Sequence, residues 1–600
     1  MSEPKEQGNN EEQGKSDKLF NPRDLSNGPA TFSLPGETWT SMLETPVSFE
    51  PEYFQKVMLN LIKHPDIAST YLFRAEIFYD SFNDPEGKFV QHIKAEYRPL
   101  PCQVPGYTLE QTIVRRMIPR NPQRDDPLVQ TCHIFRRRNA ATEENLVVYL
   151  PHASKPEDVP FYHPTVQSLA FLHSFPTSSS PSVASSPTTT TTTAPPTGTF
   201  SLHYRLFPSS ELTTRLRRTA LALLTLINKH SLGQKAGYKK RVHHDVVVPQ
   251  AAFQDTYTDL KARYAKRLIE GWVEQTPAGK HVFEDLGIAS FLIEVWKAMY
   301  DVSGGEAAAA GETNKPPFTG FVDIGCGNGL LVYILLNEGF RGWGFDARRR
   351  KTWDTFPAAV QEQLKEMVLV PEIFTRMLPT DATNQTPSLD LDSTSNGDVG
   401  RGQAAQPEHF HNGVFAAGTF IISNHADELT PWTPLLASLS SSPFFAIPCC
   451  SHNFNGAKFR APASGKAASN PAASGTLPRK DGKQPSAYAS LTAWVVRLTA
   501  AVGYEVETEM MRIPSTRNAG VLGRRRRRQE GHESDQAGDG DEGLGNGESL
   551  EERLKVVKGI VAGEMFGQGA KSDDCGALEG VAREWVERAE KLMKGAGGGH

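Results

Sequence analysis

Phe321-Val322-Asp323-Ile324-Gly325-Cys326-Gly327-Asn328-Gly329-Leu330-Leu331-Val332-Tyr333-Ile334-Leu335-Leu336-Asn337-Glu338-Gly339 reads as a short buried strand, a glycine turn and an apolar helix. Gly339 stands where a left-handed residue ends a helix. Trp343-Gly344-Phe345 then makes a second strand that ends on Asp346. Glycines at alternate positions 325, 327 and 329 let the chain turn tightly and let a ligand lie against the main chain. The helix that follows aims its unpaired N–H groups at the same place. Asp346, at the carboxyl end of the second strand, comes within reach of a ribose diol. A dinucleotide fingerprint spaces its glycines Gly-x-Gly-x-x-Gly. Here the third glycine comes one residue early and Leu330 takes the expected place. Asp323 precedes the turn, where a carboxylate suits a cationic amino group and repels a phosphate.

Around this unit the bulk properties are permissive. The chain has 600 residues, a formal net charge of −5, 38% hydrophobic residues and six cysteines. The length predicts two to four domains. The low apolar content predicts polar insertions that dilute the core. Few cysteines, without paired spacing beyond Cys449-Cys450, argue against a disulfide scaffold. The polar start Met1-Ser2-Glu3-Pro4 carries no apolar stretch, so no secretory signal is expected, and no apolar run is long enough to predict a membrane span. A reducing, cytoplasmic or nuclear setting is expected, with the cytoplasm preferred.

Composition divides the chain. Residues 1–35 read as a disordered tail, and 36–236 as an N-terminal α+β domain with a Ser/Pro/Thr-rich insertion at 174–199, which includes Thr188–Thr193. Residues 237–525 read as the Rossmann-like domain with a helical lead-in and flexible inserts near 383–410 and 461–486. A helix is expected over 358–368. Residues 526–548 read as a disordered linker and 549–600 as C-terminal helices. The expected fold class is α/β, a Rossmann-like sheet preceded by an α+β domain.

The turn Asp323–Gly329, with an acid at Asp346, resembles motifs I and II of Rossmann-like S-adenosylmethionine methyltransferases. A wider set narrows the resemblance: Arg241-Val242-His243-His244-Asp245, Lys280-His281-Val282-Phe283-Glu284-Asp285, Phe345-Asp346-Ala347-Arg348, Asn424-His425-Ala426-Asp427-Glu428, Ile447-Pro448-Cys449-Cys450-Ser451-His452 and Arg512-Ile513-Pro514-Ser515-Thr516-Arg517-Asn518. Together they look like the eukaryotic tRNA (uracil-O2-)-methyltransferase family. The resemblance implies S-adenosyl-L-methionine as cofactor, tRNA as partner, and 2′-O-methylation of uridine 44 in serine tRNA. It implies cofactor-binding roles for Asp323, Gly325, Cys326, Gly327, Asn328, Gly329, Asp346, Asp381 and Asn424. His425, Asp427 and Glu428 become the acceptor-side catalytic candidates, with His425 or Asp427 as base.

Arg348, Arg349, Arg350, Lys351, Arg512 and Arg517 are candidates for tRNA phosphates. Arg524–Arg528 reads as a targeting or RNA-binding element. No metal site is expected, since Cys449, Cys450 and His452 lack a second cluster. Two alternatives stay open: a methyltransferase of the same fold acting on another RNA or protein acceptor, and a catalytically dead RNA-binding scaffold.

Overall fold

The computed structural model describes residues 19–121, 124–177, 197–238, 244–301, 315–378, 409–462, 485–527, 548–567 and 575–593. Asp381, Thr188–Thr193 and nearly all of the 383–410, 461–486 and 526–548 segments lie outside the described residues. The chain divides into two units, Met1–Lys240 and Arg241–His600.

In the first unit, eight strands form one antiparallel sheet. They are β1 (Arg23–Asp24), β2 (Thr40–Val47), β3 (Leu72–Asp80), β4 (Thr108–Pro119), β5 (Leu128–Arg138), β6 (Thr142–Pro151), β7 (Ser168–Pro176) and β8 (Gly198–Arg205), ordered β1-β2-β8-β7-β6-β5-β4-β3. Alternation along each strand decides what each face meets. Leu169 and Phe171 on β7, with Phe200, Leu202 and Tyr204 on β8, meet α1 (Pro51–Lys63) and α2 (Thr214–Lys235). The helix α2 answers with the stripe Leu216, Ala220, Leu224 and Ile227. Leu146, Val148 and Ala170 face the other way and are covered by Phe32, Leu34 and Trp39. Residues 19–35 are therefore not tail: Arg23 and Asp24 pair with β2, and Phe32 and Leu34 are core residues. The Ser/Pro/Thr insertion joins β7 and β8, which pair antiparallel as far as Ser174↔Thr199.

The second unit opens with α3 (Gln250–Glu270) and α4 (Ala278–Met299). Then come β9 (Phe321–Ile324), α5 (Leu330–Asn337), β10 (Gly342–Asp346), β11 (Leu364–Glu366), β12 (Val368–Leu369), β13 (Phe410–His411) and β14 (Phe420–Asn424). The chain continues through α6 (Thr433–Leu439), β15 (Phe444–Ile447), α7 (Ala487–Ala501), β16 (Tyr504–Met510), β17 (Ala519–Arg526), α8 (Leu550–Phe566) and α9 (Cys575–Met593). Seven strands make the main sheet, ordered β11-β10-β9-β14-β15-β17-β16. The first five run parallel, and β17 is antiparallel to both neighbours. The winding reverses between β9 and β14, so the loops after these two strands open the crevice where such sheets bind ligands.

Three expectations need correction. The helix expected over 358–368 stops at Gln361, and Leu364–Glu366 becomes the edge strand, with Leu364 opposite Gly344. The C-terminal helices are not a separate segment, because Val557 and Val561 of α8 and Val581 and Trp585 of α9 share a core with Ile421 and Phe444 of the sheet. Arg524 to Arg526 belong to β17, where Arg524 grips Glu507 at 2.6 and 2.7 Å. Among the described residues, no helix is long and apolar enough to cross a membrane.

Burial holds three histidines of the first unit neutral, with pKa values pushed down to about 4 at His163 and His173 and about 3 at His203. A depressed pKa gives stability that is whole above the unfolded value of 6.5 and lost as pH falls through the folded one, by ~1.4 kcal/mol per pH unit per histidine. The thermal midpoint of this unit is expected to fall steeply between pH 6.5 and about 4. A flat melting profile across that window would contradict the assignment.

Candidate active site

The glycine turn is built as its spacing requires. Gly325, Gly327 and Gly329 have φ of 74°, 53° and 72°, in the left-handed region. At Gly325 a Cβ would lie 3.0 Å from the Cβ of Ala426, and at Gly329 it would lie 2.9 Å from Leu364. The Gly325 and Cys326 amides both donate to the Phe345 carbonyl, at 2.8 and 2.9 Å, which ties the turn to β10. Asn328 accepts from the Leu330 amide at 2.8 Å, a side-chain turn that leads into α5. Asp346 accepts from the Gly327 amide at 3.0 Å and the Arg348 amide at 3.2 Å, and it borders the cleft.

Beneath the turn lies a set of acids short of positive charge. Asp323 is buried in β9, and its Oδ1 has no partner among the described residues. Asp285 on α4 is also buried and accepts from Asn424 Nδ2 at 3.2 Å. Burial, reinforced by Glu284, pushes the Asp285 carboxyl up to about 8. Burial with Asp285 and Asp346 nearby raises Asp323 well above the usual range. Glu428, at the cleft wall, is raised by burial and by Asp427 and Asp346. The buried Asn424 Oδ1 also lacks a partner among the described residues. These groups fit a ligand that brings cationic and donor atoms, as the amino group and sulfonium of S-adenosylmethionine do.

The loop after β14 sits against the turn, with Ala426 on Gly325. His425 and Asp427 are themselves left-handed, at φ 54° and 41°. His425 Nε2 lies 3.1 Å from Glu284 Oε1 on α4. Burial alone would raise Glu284, yet the hydrogen bond and charge of His425 hold it below the ordinary value. Asp427 is engaged differently: Cys449 Sγ donates to its Oδ1 at 3.2 Å. Asp427, Cys449 and Cys450 bring their ligand atoms within 4.8 Å of one another.

The cleft itself encloses about 300 Å3. Its lining is Gly325, Phe345, Asp346, Ala347, Met367–Leu369, Glu428, Leu429 and Gly456, together with Trp585, Arg588, Ala589, Lys591 and Leu592 of α9. Sequence reasoning gave α9 no part in the site, and nothing local marks it. The acids of α4 do leave a trace, since Glu284 and Asp285 interrupt an otherwise apolar helical stretch from Val282 to Ile293.

The basic candidates divide. Arg349 is held by Asp354 at 2.6 Å, and Arg350 lies 3.8 Å from Asp346. Arg512 clasps Asp245 at 2.9 and 2.6 Å, and Arg517 lies over the Tyr488 ring at 4.6 Å. Arg348–Lys351 is therefore not a row of four unpaired charges, because two of its members are tied to acids of the same chain.

The position of Asp346 yields a direct test. Asp346→Ala is expected to abolish S-adenosylmethionine binding in calorimetry while the fold melts as before; wild-type affinity would remove Asp346 from the site.

Comparison with known proteins agrees with this geometry. Residues 18–241 match a family model described as "TRM44-like, N-terminal bet v1-like domain", and 247–371 match "Predicted AdoMet-dependent methyltransferase". A tRNA (uracil-O(2)-)-methyltransferase of Neurospora crassa is 43% identical over 502 residues, covering 81% of this chain and 87% of the relative. Proteins of the same name from Aspergillus oryzae and Schizosaccharomyces pombe are 38% and 37% identical, covering 96% and 81% of this chain and 96% and 85% of theirs. No solved structure matches. The chain belongs to the tRNA (uracil-O(2)-)-methyltransferase family and is an S-adenosylmethionine-dependent methyltransferase.

Proposed function

We propose that this enzyme methylates the ribose 2′-oxygen of a uridine in tRNA, at uridine 44 of serine tRNA. The observation that carries the reading is the His425–Glu284 pair beside the glycine turn, on the crevice between β9 and β14. The name shared by the relatives supports tRNA and uridine; the position and the serine isoacceptor rest on the motif resemblance alone.

Asp323, Asp346, Glu428 and Asn424, with the Gly325–Gly329 turn, are the residues that would hold the cofactor. Bound there, S-adenosylmethionine supplies an activated methyl group. The chain's part is to hold the acceptor in line and to take its proton. With Nε2–H donating to Glu284, the His425 ring turns the Nδ1 lone pair to the 2′-hydroxyl and accepts its proton. Glu284 holds that tautomer and stabilises the imidazolium as it forms. Asp427 is the weaker base candidate because its oxygen already takes the Cys449 thiol. Neither reading without this chemistry is favoured: the turn, Asp346 and His425 are all intact, which is unlike a dead scaffold.

The test is transfer of labelled methyl from S-adenosylmethionine to unmodified tRNA, followed by nucleoside digestion. Label in 2′-O-methyluridine confined to serine tRNA is the expected result, and label in another nucleoside would overturn the acceptor. His425→Ala is expected to lower kcat by roughly 10²–10⁴-fold with cofactor affinity unchanged. Glu284→Gln, which keeps the side-chain shape but removes the carboxylate facing His425 Nε2, is expected to lower kcat with S-adenosylmethionine affinity unchanged. An unchanged kcat would leave Glu284 a packing residue.

A further inference from the structure

We propose that α9 forms the outer wall of the subsite for the adenosine half of the cofactor, so that the last helix of the chain completes the cofactor site. The proposal rests on the reading that the cleft beside Asp346 holds S-adenosylmethionine. The matched methyltransferase model ends at residue 371, more than two hundred residues before α9 begins at Cys575.

The helix meets the cleft in a fixed register. Trp585, Arg588, Ala589 and Leu592 fall at i, i+3, i+4 and i+7, one face of a helix, and all four line the cleft. The buried residues Leu578, Val581, Ala582 and Trp585 continue that face into the core, so the helix cannot rotate without exposing them. Three further ties fix it along its axis. Trp585 Nε1 donates to the Leu369 carbonyl at 2.8 Å, joining α9 to β12, whose residues also line the cleft. The Trp585 ring meets Trp432 edge-on at 5.6 Å. Asn455 Nδ2 donates to Glu584 at 2.6 Å, and Gly456 beside it would place a Cβ 3.1 Å from the Arg588 side chain.

What faces what then defines a ligand. Met367, Val368 and Leu369 line the same cleft as Ala589 and Leu592, and these apolar side chains suit a flat base. Asp346 lies at the same cleft for a ribose diol, with Glu428 toward the β14 loop. Leu592 is 37% exposed, a large apolar side chain held at the rim where an adenine edge would cover it. Ala589 is small where the base needs room.

Calorimetry of S-adenosylmethionine and S-adenosylhomocysteine binding to the full chain tests this, with melting curves as the control of folding. Ala589→Phe, which fills that space, is expected to weaken both ligands at least tenfold. Leu592→Arg, at an exposed position that folding does not depend on, is expected to weaken both several-fold, and it decides the matter if Ala589→Phe does not fold. Wild-type affinity in both variants, while Asp346→Ala abolishes binding, would overturn the wall and leave the cleft assignment standing. Absence of binding to the wild-type protein would overturn the cleft assignment and the wall together.

Discussion

Two interacting carboxyl groups, Asp285 and Asp323, lie buried with no cation among the described residues against them, and the second unit is arranged around that constraint. A carboxylate taken out of water with no partner is costly enough that it takes up a proton instead. Burial and Glu284 raise Asp285, and burial with Asp285 and Asp346 nearby raises Asp323. Such a site prefers a ligand with positive charge and hydrogen-bond donors, and it disfavours a pyrophosphate. The shortened glycine spacing says the same thing in backbone terms, because Gly329 brings the start of α5 down onto Trp353 and Leu364 instead of leaving a wider phosphate cradle.

The acids come from separate parts of the chain, and the sheet order is what brings them together. Asp323 lies one residue before the end of β9 and Asn424 ends β14, and these strands are adjacent, parallel and paired through Ile422↔Asp323. Asp285 reaches Asn424 from α4, which precedes the whole sheet in sequence. Glu284, the residue before it, turns to His425. Two neighbouring acids on one helix thus meet two neighbouring residues on one loop, one pair deeper and one nearer the solvent.

Local features of this architecture could be read directly from the chain. The strand–turn–helix at Phe321–Asn337 follows from glycine spacing and an apolar run, both of which act over a few residues. Asn424–Glu428 is likewise a local signal, a histidine and two acids that directly follow the apolar residues of β14. Features set by distant partners could not be read. Residues 358–368 are rich in helix formers, yet Leu364 is drawn into the sheet by β10. Phe32 and Leu34 are two apolar residues in a polar stretch, and only the face of a sheet more than a hundred residues away buries them. Arg349, Arg350 and Arg512 look like free charges in the sequence, and only the fold sets Asp354, Asp346 and Asp245 beside them. The helix α9 has an ordinary amphipathic pattern, and no pattern says which crevice such a face will close.

The loop Asn424–Glu428 carries the strain of the site. His425 and Asp427 both hold left-handed backbone that non-glycine residues adopt at a cost of about 1 kcal/mol or more each. The conformation persists because the loop is fixed from several directions. Its His425 amide donates to the Ile447 carbonyl at 3.2 Å, Ala426 packs on Gly325, and Asp427 takes the Cys449 thiol. An extended backbone here would carry His425 along the strand direction and away from Glu284. The reversal lets its ring meet Glu284 on α4 while Ala426 packs on Gly325, so the strained backbone sets the His425–Glu284 pair beside the glycine turn. Relaxing it with a glycine at 427 would ease the backbone and lose the Cys449 contact, which is why a residue with a carboxylate, and not the least strained residue, occupies that position.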